Sequence, residues 1–277
     1  MVTIAKTKQP VRMPRFGHRV DKTDPILRGC VGWWPLNDGA GRFASDLIAN
    51  DQAVGYGTTA GMTWDYDERG CSVRFDDVDD YFQLSTDFLS SLANSFSVSL
   101  WAKPADSADD QRAWNLDESQ DGTDWSSVLW YDVGGLNVGW VFGVRESNNF
   151  TYLTDADIGS GADGKWSHVI GTYSGDDRLI SLYVDGLLVD STATSTGTLH
   201  SPRIYNSLGG NFYAGEGWFD GNIQNARIWN RALSATEVSR LYSEPWAGLE
   251  PLSPFSFFSG LSQIYAYYSA AFLQRLG

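Results

Sequence analysis

The chain has 277 residues, long enough for one large domain or two smaller ones with a sizeable buried core. Its formal charge of −14 excludes a nucleic-acid surface spread over the body, because phosphate recognition needs a basic footprint. Aromatic residues are 14% of the chain and 7 of the 34 acidic residues are Glu against 27 Asp, so turn formers outweigh helix formers and the composition favours short strands.

The first 28 residues hold seven Lys/Arg (Lys6, Lys8, Arg12, Arg15, Arg19, Lys22, Arg28) against Asp21 and Asp24, a balance of +5 that leaves −19 on the rest. A basic arm on an acidic body predicts attachment to an acidic neighbour, with a solvated leader as the alternative. The opening MVTIAKTKQPVRMPRF mixes charge and proline throughout, so no secretory signal is expected. Cys30 and Cys71 are too few for a disulfide framework and are expected as buried thiols, with a single bridge as the alternative.

SFSVSLWAK sets Phe96, Val98 and Leu100 on one side and Ser95, Ser97 and Ser99 on the other, the period of two that a strand with one buried face requires. Gly134-Gly135, Asn148-Asn149, Gly175-Asp176 and Gly209-Gly210 punctuate further runs. GSGADG at 159–164 fits G-x-G-x-x-G, but a dinucleotide site needs a helix N-terminus directly afterwards, and the strand-like WSHVIGTY follows instead. Trp166 also stands where a P-loop needs Ser or Thr, so these glycines are read as a turn.

Asp185-Gly186 lies between two apolar runs and predicts a type I′ hairpin. Ser234-Ala-Thr-Glu237 is a capping box that starts one short helix, with Leu233 and Val238 as its hydrophobic staple and Pro245 as its stop. Val238, Leu241 and Tyr242 then share the face turned to the body. The tail after Glu250 is free of charge up to Arg275, yet Pro251, Pro254, five Ser and two Gln make it a poor membrane span. A tail rich in Phe and Tyr must be buried against its own body or against another subunit.

Five segments in order, GCVGWWPLNDGAG, VRFDDVDDYFQL, SFSVSLWAKP, WSH…TY…LYVDG and FDGNIQNARIWNRALSATEVSRLY, resemble the laminin-G-like, concanavalin A-type lectin/glucanase jelly rolls over about residues 29–243. The resemblance implies an all-β, two-sheet antiparallel jelly-roll sandwich over 29–243, which the basic N-terminal arm (1–28) and the aromatic-rich tail (244–277) flank. It also implies a calcium ion at the rim, with an Asp cluster that caps a turn and stays solvated as the alternative. Asp80 and, less directly, Asp76 match the family's carboxylate ligands in F-D-G-x-D-D-Y, while Gln224-Asn225 replaces the second acidic pair and leaves Asn225 to offer a carbonyl oxygen.

Among the family's functions, glycoside hydrolysis needs two carboxylates flanking the scissile bond. The seven Glu show neither E-x-D-x-x-E nor E-x-D-x-E, there is no G-x-S-x-G, and the three His are scattered, so no catalysis is expected. Sugar binding would use exposed aromatics; Trp114, Trp125, Trp130, Trp140 and Trp218 are candidates. Trp130 and Trp140 have core-like context, and Trp125 and Trp218 fall in loop-like sequence. The termini favour a structural role instead. Arg12, Arg15 and Arg19 on the arm and Phe257, Phe258, Tyr267 and Tyr268 on the tail would fasten the subunit to identical copies or to a larger protein shell. The resemblance extends to bacteriophage-encoded proteins, which implies a virion surface component such as a capsid decoration, head fibre or tail protein. The alternative is an extracellular carbohydrate-binding module, calcium-dependent, with no nucleic-acid partner and no membrane span.

Overall fold

The computed structural model describes residues 19–250 except 50–51, 58–61, 93, 106–110, 118–124, 133–138, 147–148, 156–163, 198, 200–204 and 211–216. The first strands are β1 (Cys30–Trp34), β2 (Phe43–Ser45), β3 (Gln52–Tyr56), β4 (Thr63–Asp67), β5 (Gly70–Asp76), β6 (Tyr81–Gln83), β7 (Ser95–Pro104) and β8 (Gln111–Asp117). After them come β9 (Trp125–Asp132), β10 (Gly139–Glu146), β11 (Asn149–Thr154), β12 (Ser167–Ser174), β13 (Leu179–Val184), β14 (Leu187–Ala193), β15 (Tyr205–Leu208) and β16 (Asp220–Trp229), then the helix α1 (Ala235–Ser243).

These strands form two antiparallel sheets, as expected for a jelly-roll sandwich. The first runs β14-β13-β12-β7-β16-β5-β4, with β1 also on β16; the second runs β11-β10-β9-β8-β15-β6-β3-β2. The inner row of β7, Phe96, Val98 and Leu100, enters a core with Phe75, Phe82, Trp114, Trp140, Phe142, Tyr173 and Ile228. Each well-buried aromatic there contributes about 1.5–3 kcal/mol of transfer free energy, and edge-to-face pairs such as Phe75 with Phe82 fill the space between the sheets. The strand β12 follows the 159–164 glycines and pairs along its length with β7, from Ser167 opposite Ala102 to Ser174 opposite Ser95, so no helix N-terminus is available for a phosphate. At the β13–β14 turn Asp185 and Gly186 have φ of 50° and 78°, as a type I′ turn requires.

A second apolar layer covers the outer face of the first sheet. The capping box closes α1 at both Ser234 and Glu237, and Val238, Leu241 and Leu233 pack with Trp33, Ile170, Tyr183, Trp229 and Trp246. Two segments assigned by sequence to the arm and tail belong to this layer. Ile26 is buried, Val20 pairs with Leu249, and the Asp21 amide donates to the Gly248 carbonyl. Packing therefore continues across the expected boundaries at 28/29 and 243/244. Both thiols are buried and free, and burial pushes Cys30 up to about 12.

Candidate functional site

Two features meet at the end of the second sheet where β6, β3 and β2 lie. The first is a ledge of rings on the sheet's outward face. Alternation in QAVGY turns Val54 and Tyr56 outward while Ala53 and Gly55 face inward, and in YFQ it turns Tyr81 and Gln83 outward while Phe82 enters the core. Tyr56 stacks on Tyr81 with centroids 5.0 Å apart and planes at 9°. Trp218, half-buried just before β16, lies 6.2 Å from Tyr81, and Phe43 on β2 adds another exposed ring beside Val54. The ledge is open at one side: Tyr56 is 40% exposed and Tyr81 only 5%.

The second feature is acidic. Carboxylate oxygens of Asp76, Asp79 and Asp80 lie within 4.8 Å of one another. Asp80 is 1% exposed, and neither of its oxygens has a hydrogen-bond partner among the described residues. Burial first, and then the charge of Asp76, pushes its carboxyl up to about 7; the nearby Met62 amide offsets part of this without meeting hydrogen-bond geometry. Asp77 is raised by burial and by Asp220 and Asp76, while Asp220 itself pairs with Arg74 at 2.5 Å. A buried carboxylate without donors, crowded by two others, fits a hard divalent cation that takes oxygen ligands, such as Ca2+.

The family model described as the Concanavalin A-like lectin/glucanases superfamily matches residues 76–239, more than half of the chain. The chain belongs to this superfamily. No curated protein matches this lectin-like chain. Among solved structures it is similar to domain 4 of AbnA, an extracellular GH43 arabinanase from Geobacillus stearothermophilus, in complex with arabinotriose. There the TM-score is 0.59 at 17% identity over 77% of this chain and 98% of the other. It is also similar to the CBM40 of the Ruminococcus gnavus IT-sialidase (TM-score 0.53, 13% identity, 62% and 96% covered). The binding domain of botulinum neurotoxin serotype D/C VPI 5993 gives a TM-score of 0.58 at 13% identity; this chain spans about half of it, 78% of this chain against 52% of that one. At such identities the likeness shows the fold.

Of the residues predicted from sequence, Asp76 and Asp80 come together, joined by Asp79. Asn225 does not. It sits at a bulge in β16 under the outer layer, where its Oδ1 accepts from Trp33 Nε1 at 2.7 Å and its Nδ2 donates to the Pro245 carbonyl at 2.6 Å. Arg227 beside it lies 3.7 Å over the Trp33 ring and donates to the carbonyls of Pro245 and Ala247, so this region fastens the segment after α1. Trp218 joins the ledge. Trp125 opens β9 opposite Asp117, and Trp114 and Trp140 are core. Trp130 instead faces outward with Val128, Val141 and Phe150, forming a second apolar cluster three strands away from Tyr81. Tyr56, Tyr81 and Phe43 were not singled out by sequence, although the alternation of their strands carried the signal.

Arg19 is exposed and its carbonyl accepts from the Glu250 amide. Arg12, Arg15, Phe257, Phe258, Tyr267 and Tyr268 lie outside the described residues. His168 is buried beside Ser99 at 3.0 Å, stacked on Trp101, and held down to about 3 by burial and then by Arg69, which suits a neutral structural ring. Among the described residues no helix is long and apolar enough to cross a membrane.

Proposed function

We propose that this protein is a carbohydrate-binding, adhesion-type module that acts outside the cell, holding a glycan on the Tyr56–Tyr81–Trp218 ledge with a divalent cation at Asp76, Asp79 and Asp80. The observation that carries this reading is the partly exposed ring stack on the same strand pair as the buried, unpartnered Asp80 carboxylate, which has the carboxylates of Asp76 and Asp79 close by. Ring faces on such a ledge cover the apolar faces of sugars. The arabinanase domain with arabinotriose, and the Ruminococcus gnavus CBM40 solved with α2,3-sialyllactose, support the same class of ligand. Calorimetric titration of arabinotriose, α2,3-sialyllactose and a broader glycan panel, with and without calcium, tests it. Binding by the intact chain that weakens in Tyr56→Ala and Trp218→Ala is expected, and a panel without a binder overturns it.

A second reading keeps the chain as a virion surface subunit fastened by its termini. It is favoured by the +5 balance of residues 1–28 against −19 elsewhere, and by the Val20–Leu249 pairing, which brings the two ends of the described residues together. The readings are compatible: a subunit anchored there would keep its ledge on the other sheet.

A further inference from the structure

The ledge and the acidic cluster meet at one point in the backbone. Strands β3 and β6 pair as Val54 with Gln83, Gly55 with Phe82 and Tyr56 with Tyr81, so the next opposed positions are Gly57 and Asp80. Side chains alternate along paired strands, which sets the Asp80 carboxylate on the side of Phe82 and the core, and the Tyr56 and Tyr81 rings on the other side. Gly57 has φ +142°, and a methyl added to it would collide with Asp80 Oδ1. Asp80 is therefore held by contact with the Gly57 backbone and by repulsion from Asp76 and Asp79, with no hydrogen bond from the described residues to fix it.

We infer that cation binding at Asp76, Asp79 and Asp80 is coupled to the aromatic ledge through Gly57, the cation acting as a buttress behind Tyr56 and Tyr81 rather than as a bridge to the ligand. The inference rests on the cation-and-ledge reading above and adds how the two parts communicate. A divalent ion cancels the repulsion among the three carboxylates. Asp80 then settles against Gly57, and the strand pair that carries both rings stiffens. Coupling of this kind is reciprocal: the factor by which the cation raises affinity on the ledge equals the factor by which a ligand there raises cation affinity, typically about 5- to 150-fold.

The test is amide hydrogen exchange on the full chain in calcium chloride and in EDTA, alongside calorimetric titration of calcium. In the wild type, exchange over residues 52–57 and 81–84 should slow about tenfold with calcium, while β12 does not respond. In Asp80→Asn, which keeps the shape and removes the repulsion, those segments should exchange at the slow rate already in EDTA, and calcium should add nothing. Gly57→Ala should raise exchange there in both conditions; if it fails to fold, the Asp80→Asn comparison still decides. Calcium binding without any change over 52–57 and 81–84 would overturn the buttress, and so would the absence of any heat of calcium binding. An intact exchange response together with a glycan panel that yields no binder would remove the proposed ligand and leave the coupling standing.

Discussion

Asp24 and Arg240 stand 216 residues apart in sequence and form a two-pronged ion pair, with Nη1 to Oδ1 at 2.6 Å and Nη2 to Oδ2 at 2.7 Å. The same carboxylate accepts the Ile26 and Gly248 amides, so one side chain joins the segment before β1, the helix α1 and the segment after it. Arg240 holds the Asp24 carboxyl below the usual carboxylate range, with burial opposing and the two amides assisting. A carboxyl depressed in the folded state stabilises above its unfolded pKa, and that contribution is lost as pH falls through the folded value. Asp24→Asn should destabilise by about 2 kcal/mol near neutral pH, with the deficit shrinking in acid; denaturant melts of both proteins across pH measure it.

Glu146 makes a parallel case inside the sandwich. It is 1% exposed and accepts from Tyr173 Oη, Ser195 Oγ and the Thr196 and Gly197 amides, tying the segment after β14 to β10. Burial alone would raise its carboxyl, but these donors outweigh burial and hold it at about 2. Its stabilisation is complete above the ordinary glutamate value of 4.5 and disappears as pH falls from there toward 2. Glu146→Gln should cost about 3 kcal/mol at neutral pH and progressively less below 4.5; equal deficits at both ends of that range would refute the assignment.

What the sequence made legible was local. The capping box, the Asp185-Gly186 turn and the inner row of β7 are set by neighbours within a few residues, and all three stand where expected. Ser97 and Ser99 show where such reasoning stops. Alternation marks them as the polar side of a half-buried strand, yet both are buried, because Ser97 Oγ donates to the Arg231 carbonyl and accepts the Leu233 amide while Ser99 meets His168. Partners 69 to 136 positions away leave no periodic trace. The partners of Asn225 were equally hidden: its motif position suggested a rim ligand, whereas its side chain bonds Trp33, 192 positions away, and Pro245, 20 positions away.

On the ledge, Tyr56→Ala should weaken glycan binding about fivefold with a stability change below about 1 kcal/mol, since the ring is 40% exposed. Trp218→Ala should weaken it at least as much. Core substitutions at Trp114 or Trp140 would instead lower stability by about 3–5 kcal/mol, so comparing affinity with melting temperature separates a contact residue from a packing one.

The cation prediction distinguishes Asp80 from Asn225. Calcium at 100 times its dissociation constant should stabilise the wild type by about 2.7 kcal/mol, with the melting temperature rising logarithmically beyond that. Asp80→Ala should abolish the response. Asn225→Ala, which breaks bonds to Trp33 and Pro245, should lower the melting temperature while keeping the full calcium increment. A response lost in both variants would place Asn225 back among the ligands.

The structure also changes how a role for the termini is tested. Removing residues 1–28 takes away Asp24 and Ile26, both built into the outer layer, so any loss of assembly would be confounded with unfolding. Cuts at 18 and 250 leave the Val20–Leu249 pairing and the Asp24–Arg240 pair intact. Residues 1–18 hold Lys6, Lys8, Arg12 and Arg15 and no acidic residue, so attachment through them is electrostatic and should weaken with salt as the screening length falls to about 8 Å at physiological ionic strength. Residues 251–277 carry their aromatic rings with one charge, at Arg275, and attachment through burial of those rings does not weaken with salt. Sedimentation of the two truncations at low and high salt should therefore show the N-terminal cut impairing association mainly at low salt and the C-terminal cut impairing it at both. If both truncated proteins self-associate and bind glycan as the intact chain does, the extensions have no part in assembly.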